Sequence, residues 1–523
     1  MFDTIIHGGM LIDGTRAPRR RDDVGIRGDR IEAIGDLSDA QAQRKIDASG
    51  LIVAPGFIDV HNHSDGWLVK TPHLSVKTQQ GFTTELLAVD GISYAPVDQF
   101  TAPEWLYYLR SLDALEDNEY QGWESLAEYA EVIGNNSAQN IAMHIPYANV
   151  RTLACGWRRA GVDDFQMQLI QEKITEGMQG GAVGLSTGLD YIAQCFSTTD
   201  ELVAASHAMS MQQGIYVTHV RYKKGLLEGF EEAIEIGRRA NVPVHLSHVK
   251  AGDSRSADEV LTFLDRARRE VDLSFDVYPY QRGSTMLNYL LPYEVWEDGP
   301  RAAADKLRSP GVRARFEAGL AGYFAELDAI HFAWINHPEL KQHQGQLLSE
   351  FVEQSGMSAA DALAELLIAT DFAVLCVMNA GDDKAIHPIL QHDLYMLGSD
   401  GIYFTDGQVH PRIAGSSGRL LGACVREHKL FSLEDAVHKM SEFPAQRFGL
   451  AKRGVLAEGY FADIVVFNEE EISDRATYEN PHQPTVGIQS VLVNGVEIVG
   501  QGKPREDLSG GLPGRYLRFR QEN

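Results

Sequence analysis

From about residue 56 to residue 450 the chain repeats one pattern: a short apolar run of strand character, a turn, then a stretch of helical spacing. "FTTELLAVD", "IAMHIPYANV", "GAVGLSTGL", "IYVTHV", "VPVHLSHV" and "VDLSFDVYPY" are rich in the β-branched and aromatic residues that favour strands. "GLLEGFEEAIEIGRRA" and "SADEVLTFLDRARREV" instead place apolar residues on one face of a helix. Strands that alternate with helices join as parallel neighbours, because each connection must cross back over the sheet. The expected class is α/β, and over roughly 400 residues the expected form is a closed (β/α)8 barrel, the TIM barrel.

The two ends have another texture. Residues 1–55 ("DTIIHGGMLIDG", "DVGIRGDRIEAIG", "RKIDASGLIVAPG") and 451–523 ("RGVLAEGYFADIVVFN", "SVLVNGVEIVGQGKP") alternate apolar and polar residues between turn signals. Short antiparallel strands are expected in both, pairing into one small β-sandwich, since chain termini often lie together. Residues 287–346 interrupt the rhythm of the middle 56–450 unit with helical, charged sequence ("AAADKLRSPGVRARFEAGLAGYFAEL"), which reads as an insertion over the barrel mouth. The tail "GGLPGRYLRFRQEN" reads as a largely irregular strap.

Composition narrows the partners. With 44% apolar and 23% charged residues, the chain can bury a large core and disorder is not expected. Lys and Arg number 47 against 73 Asp and Glu, a net charge of −26. That argues against nucleic acid and anionic membranes, which reward basic patches. Cys155, Cys195, Cys376 and Cys424 lie far apart, with no C-x-x-C pair, so reduced thiols and a cytoplasmic location are expected. No apolar run reaches membrane-spanning length, and Asp3 stands where a signal peptide wants a basic residue. Assembly into a homo-oligomer stays open.

The chemistry collects at strand ends. In "PGFIDVHNHSD" an extended backbone turns His61 and His63 to one side and Asn62 to the other. "GIYVTHVR" ends in His219, "VPVHLSHVK" in His248 and "LYMLGSDG" in Asp400. The C-terminal ends of parallel barrel strands open on one face. Four imidazoles and a carboxylate delivered there form the donor set of a divalent metal. His7, His245 and His438 read as structural.

In order and context these residues resemble the amidohydrolase superfamily, and more closely the N-acyl-D-amino-acid deacylases, or D-aminoacylases. The resemblance runs almost end to end, through "PGFIDVHNHSD", "GFTTELLAVDGIS", "GLSTGLDY", "YVTHVR", "HLSHVKAG", "DVYPYQRGST", "GSDG" followed by "HPR", and "LPGRYLR". It implies a barrel, a sandwich made from both termini, and an insertion covering the site. It also implies metal-dependent hydrolysis of an N-acyl-D-amino acid, with Asp400 as metal ligand and general base and acid. The implied ligands are His61, His63, His219, His248 and Asp400, around one or two zinc ions.

One position departs from that family. Asp90 stands where the D-aminoacylases carry a metal-binding cysteine, and a carboxylate favours harder, oxygen-loving divalent metals more than a thiolate does. Other amidohydrolases bridge two metals with a carboxylated lysine. Here no lysine occurs between Lys77 and Lys173, or again before Lys223, so Asp90, or else Glu85, is left to supply the carboxylate of a binuclear site. The other readings are a single metal, with Asp90 a plain turn residue.

The resemblance assigns the substrate's α-carboxylate to Lys250, Tyr278 and Arg412, with Tyr191 and Ser284 lining the pocket. Arg can grip a carboxylate through two parallel hydrogen bonds and Lys adds a point charge. The expected partner is thus a small carboxylate-bearing substrate. Arg221, Lys223, Lys224 and Arg282 follow strand ends and could read an acidic side chain, although Lys223 and Lys224 read more simply as a solvated loop. Alternative activities are cyclic-amide hydrolysis of the hydantoinase or dihydroorotase type, and hydrolysis of a non-peptidic amide or carbamate. A metal-free binding scaffold is the reading from outside enzymology.

Overall fold

The computed structural model describes residues 1–321, 326–379, 381–508 and 510–522. Eight strands form its centre: β1 (Phe57–Asp59), β2 (Phe82–Leu87), β3 (Asn140–Met143, resuming at Ile145–Pro146), β4 (Gly184–Gly188), β5 (Ile215–His219), β6 (Val244–Leu246), β7 (Leu273–Val277) and β8 (Tyr395–Leu397). Each runs parallel to the next in sequence order. A break at His144 divides them into two hydrogen-bonded sheets. Beyond β8 the chain returns to β1: Val60 N–H reaches Leu397 O at 3.4 Å, and Gly401–Ile402 runs parallel to Asn62–His63.

These strands are buried on both faces, which is why they read as apolar runs with little alternation. On one face Ile58, Leu86, Ala142, Val217 and Met396 meet in a single apolar cluster with Phe448 and Leu517. Helices cover the other. Leu226–Ala240 turns Phe230, Ala233, Ile234 and Gly237 inward and stops at Asn241, whose left-handed φ of 56° ends the helix.

Both chain ends enter one seven-stranded sheet, in which Ile52–Pro55 pairs antiparallel with Ile464–Phe467. A four-stranded sheet from the first fifty residues packs on it, and Ile6, Val24, Ile26, Val53, Ile464 and Val466 share one apolar cluster. The expected purely antiparallel pairing fails at two places. Phe2–His7 runs parallel to Ala42–Asp47, and Met10–Leu11 runs parallel to Ile52–Val53. The hairpin of Asp23–Arg27 and Arg30–Gly35 occupies one edge of Phe2–His7, so the returning chain takes the opposite edge in the parallel sense.

Between β7 and β8 the chain builds an antiparallel three-stranded sheet from Gly283–Met286, Val374–Met378 and Ile330–Ile335. The interruption expected over 287–346 is therefore part of a longer excursion, and residues 322–325 within it lie outside the described residues. The tail runs beside β3, where Ile141 N–H donates to Arg515 O at 2.9 Å and Leu517 N–H to Ile141 O at 2.7 Å. Its last residue, Asn523, is outside the description. No helix among the described residues is long and apolar enough to cross a membrane.

Candidate metal centre

The candidate ligands sit at the C-terminal ends of the central strands, several on backbone bent sharply back over them. His219 ends β5, while His248, Asp400 and Asp90 lie just beyond β6, β8 and β2. These last three adopt positive φ, 39°, 49° and 56° respectively. Non-glycine residues held there cost about 1–3 kcal/mol each, and such strain gathers where function dictates geometry. Asp400 N–H donates to His61 O at 2.6 Å, which locks the end of β8 to the end of β1.

The side chains converge. His63 Nε2 lies 3.3 Å from Asp400 Oδ1, and His61 Nε2 lies 3.8 Å from the same oxygen. Asp90 stands between the histidines: its Oδ1 is 3.5 Å from His61 Nε2, and its Oδ2 is 3.8 Å from His63 Nε2 and 4.0 Å from His219 Nδ1. His219 Nδ1 and His248 Nε2 are 2.9 Å apart. Two triads have donor atoms mutually within 4.8 Å, His61–His63–Asp400 and His61–Asp90–His248. Glu85, the other carboxylate considered, is held by Ser64 Oγ and Gln139 Nε2, each at 2.6 Å.

Each imidazole has a polar side chain behind it. His61 Nδ1 faces Asp276 Oδ2 at 3.3 Å, His63 Nδ1 faces Asp113 Oδ1 at 3.6 Å, and His219 Nε2 faces Asp190 Oδ2 at 3.5 Å. His248 Nδ1 lies 3.1 Å from the Tyr222 hydroxyl, which donates to Ser247 O at 2.9 Å and so can accept the ring proton. A hydrogen on each rear nitrogen leaves the front nitrogen as a lone pair aimed into the cluster. Asp276 also accepts from His248 N–H and faces His245 Nε2, both at 2.9 Å, so it braces three residues at once. Asp276→Asn is expected to weaken zinc affinity by roughly ten- to a hundredfold, measured by competition with a chromophoric chelator.

The electrostatics call for a cation. Burial alone would push His63 down, yet Asp113 and Asp400 push it up to about 10. Against the same burial, Asp276 and Asp90 raise His61. His248 is driven down to about 3 by burial and by the neighbouring His219. Burial works to raise Asp400, but Arg412 and His63 hold it well below the usual carboxylate range. His61 Nε2 and Asp90 Oδ1 are buried without any hydrogen-bond partner. Orphaned donor atoms around surplus negative charge fit a divalent ion bound by nitrogen and oxygen, as zinc is.

A family model described as the amidohydrolase family matches residues 44–305 and 350–499. The chain belongs to that family. It is 36% identical to a D-aminoacylase of Alcaligenes xylosoxydans xylosoxydans, over 95% of this chain and 94% of the relative. It is 37% identical to an N-acyl-D-glutamate deacylase of the same organism, over 99% and 96%. A crystal structure of N-acyl-D-glutamate deacylase from Bordetella bronchiseptica, complexed with zinc and a phosphonate mimic of the tetrahedral intermediate, superposes with a TM-score of 0.83. That structure is 33% identical, with 99% of both chains covered.

In this amidohydrolase a cavity of about 470 Å³ opens beside the cluster, lined by His63, Asp90, His219, His248 and Asp400 on one side and by Lys250, Tyr278, Ser284 and Tyr191 on another. Lys250 Nζ donates to Gln281 O at 2.9 Å and Arg282 O at 2.7 Å, and lies 3.9 Å from the Tyr278 ring centroid. Burial, then the nearby Arg412 charge, hold its ammonium well below the usual lysine range. Arg412, fully buried, sets Nη1 2.8 Å from Asp400 Oδ2 and Nη2 3.1 Å from Ser284 O. The Ser284 hydroxyl is spent on Cys376 O at 2.8 Å, and Tyr191 OH lies 3.4 Å from Thr285 Oγ1.

Reading the sequence alone missed Asp113, Asp190, Asp276 and Tyr222. A signal existed for Asp276: in "LSFDV" it shares a strand face with Ser274, two polar residues inside an apolar run. Asp113 and Asp190 lie in irregular segments, where spacing carries no facing information.

Proposed function

We propose that this amidohydrolase cleaves the amide of an N-acyl-D-amino acid, releasing a carboxylic acid and the free D-amino acid. One observation carries the reading. Asp400 lies between the histidine cluster and the buried Arg412, beside a cavity that also presents Lys250. A hydrolytic centre and an anion-binding wall thus share one wall residue. The preference for D substrates rests on the two deacylases of 36% and 37% identity. In this reading the eight parallel strands are a (β/α)8 barrel and the two terminal sheets a β-sandwich domain, with the 283–378 excursion over the mouth.

His61, His63, His219, His248, Asp90 and Asp400 would hold the metal, zinc in the Bordetella relative. The position of Asp90 between His61 and the His63 and His219 pair suits a carboxylate shared by two ions. When bound, the metal polarises the amide carbonyl and lowers the pKa of water toward neutrality. Asp400, kept ionised by Arg412, accepts the proton of the attacking water and passes it to the nitrogen of the departing amine. Lys250 and Tyr278 on the cavity wall hold the α-carboxylate, with the buried Arg412 behind Tyr278 and Asp400 adding its positive charge, which fixes the carbonyl that faces Asp400.

The test is hydrolysis of paired N-acetyl-D- and N-acetyl-L-amino acids by zinc-loaded protein, with hydantoin and dihydropyrimidine rings beside them. Cleavage of D amides alone is expected; ring opening without deacylation would refute the reading. Arg412→Ala is expected to raise KM by roughly a hundredfold, as removal of a buried charge partner does, while metal content stays constant. An unchanged KM removes Arg412 from the anion site.

A further inference from the structure

The chain is as similar to a D-aminoacylase (36%) as to an N-acyl-D-glutamate deacylase (37%), so identity does not choose between a neutral and an acidic amino-acid side chain. The cavity does. We infer that the substrate side chain of this enzyme is uncharged and apolar, an inference that rests on the deacylase reading above.

The first argument is where the cations go. Arg221, one candidate for reading an acidic side chain, is buried and turned away: its Nε is 2.8 Å from Glu232, and its Nη1 donates to Cys195 O at 3.0 Å. Lys223 lies in an exposed turn, as expected, but its Nζ is engaged: it donates to Tyr289 O at 2.7 Å and lies 4.3 and 4.7 Å from the ring centroids of Tyr289 and Tyr293. The Arg282 guanidinium stacks 4.0 Å from the Tyr478 ring centroid and lines a separate cleft with Asp382 and Asp383. Lys224 is exposed and does not line the cavity. Histidines aside, Lys250 is the one cation among the described residues lining the cavity, and two of its hydrogens are already used by carbonyls.

The second argument is what remains. Away from Lys250 and the metal cluster the wall carries Leu112, Leu226, Ala251 and Met378, with aromatic rings between them. Its polar side chains are engaged: Gln281 Nε2 donates to Ala251 O at 2.6 Å, Ser284 Oγ to Cys376 O at 2.8 Å, and Thr285 Oγ1 lies 3.4 Å from the Tyr191 hydroxyl. A substrate with an acidic side chain brings two carboxylates to a site with one built anion position. The second would lie either on this apolar wall, losing its hydration, or near Asp90 and Asp400, where like charge repels it. Leucine, methionine or phenylalanine side chains instead bury apolar area there. The flexible Met378 suits such a range of shapes.

The experiment compares kcat/KM of the zinc-loaded full chain for N-acetyl-D-leucine, -D-methionine and -D-phenylalanine with N-acetyl-D-glutamate, -D-aspartate and -D-glutamine. Roughly a hundredfold preference for D-leucine over D-glutamate is expected, with D-glutamine, the uncharged isostere, in between. Turnover of D-glutamate equal to or better than that of D-leucine overturns the inference. Cleavage of none of the six refutes the deacylase reading instead. Calorimetric binding then decides the subsite by itself: tighter N-acetyl-D-leucine supports it, and equal or tighter N-acetyl-D-glutamate overturns it.

Discussion

Asparagine at position 400 is expected to lower kcat by roughly three to four orders of magnitude, with zinc retained by the histidines. The substitution keeps the size of the side chain and one oxygen for Arg412 but removes the carboxylate that the proposed mechanism uses to accept the proton of water. In the native enzyme that carboxylate is kept ionised through the neutral range. Burial opposes this, and Arg412 Nη1 at 2.8 Å and His63 outweigh it. Proton transfer should therefore not limit the acid side of the rate profile at mild pH. Steady-state kinetics with N-acetyl-D-leucine, together with metal analysis of the same samples, separates the two roles of the residue. A loss of activity that tracks loss of zinc would make Asp400 a ligand alone. A kcat within about tenfold of the parent would remove it from the chemistry.

Stripping the metal with a chelator is expected to abolish hydrolysis and to lower Tm, both restored by adding zinc back. Two carboxylates, Asp90 and Asp400, face the cluster, and three more, Asp113, Asp190 and Asp276, stand behind its histidines. Without a cation this charge is offset by Arg412 beside Asp400 and by the raised basicity of His61 and His63. A ligand present at ~1,000 times its Kd stabilises the folded state by about 4 kcal/mol, and its removal forfeits that amount. Differential scanning calorimetry of the parent, stripped and reloaded protein measures it. Protein free of metal by mass analysis, yet fully active and equally stable, would end the metallohydrolase account.

Legibility followed the range of the interactions involved. The strand and helix rhythm was readable because periodicity is local, and it located the central strands that carry His61, His63, His219, His248 and Asp400. The two parallel pairings in the terminal sheets were not readable, because alternation of apolar and polar residues is the same for either strand direction. Nor were the cations near the mouth: Arg221, Lys223 and Arg282 look alike in sequence, and only the folded chain shows that each is engaged elsewhere and that none lines the cavity.

The sequence by itself determined the donor atoms. Parallel strands joined by crossover helices must open their C-terminal ends on one side, so histidines placed there had to meet. Tertiary structure alone decided which nitrogen of each ring faces inward and what holds it. Asp276, for example, braces His61 from 215 residues away. Hydrogen bonds of that kind depend on distances of a few tenths of an ångström between segments remote in the chain, and no spacing rule along a sequence encodes them.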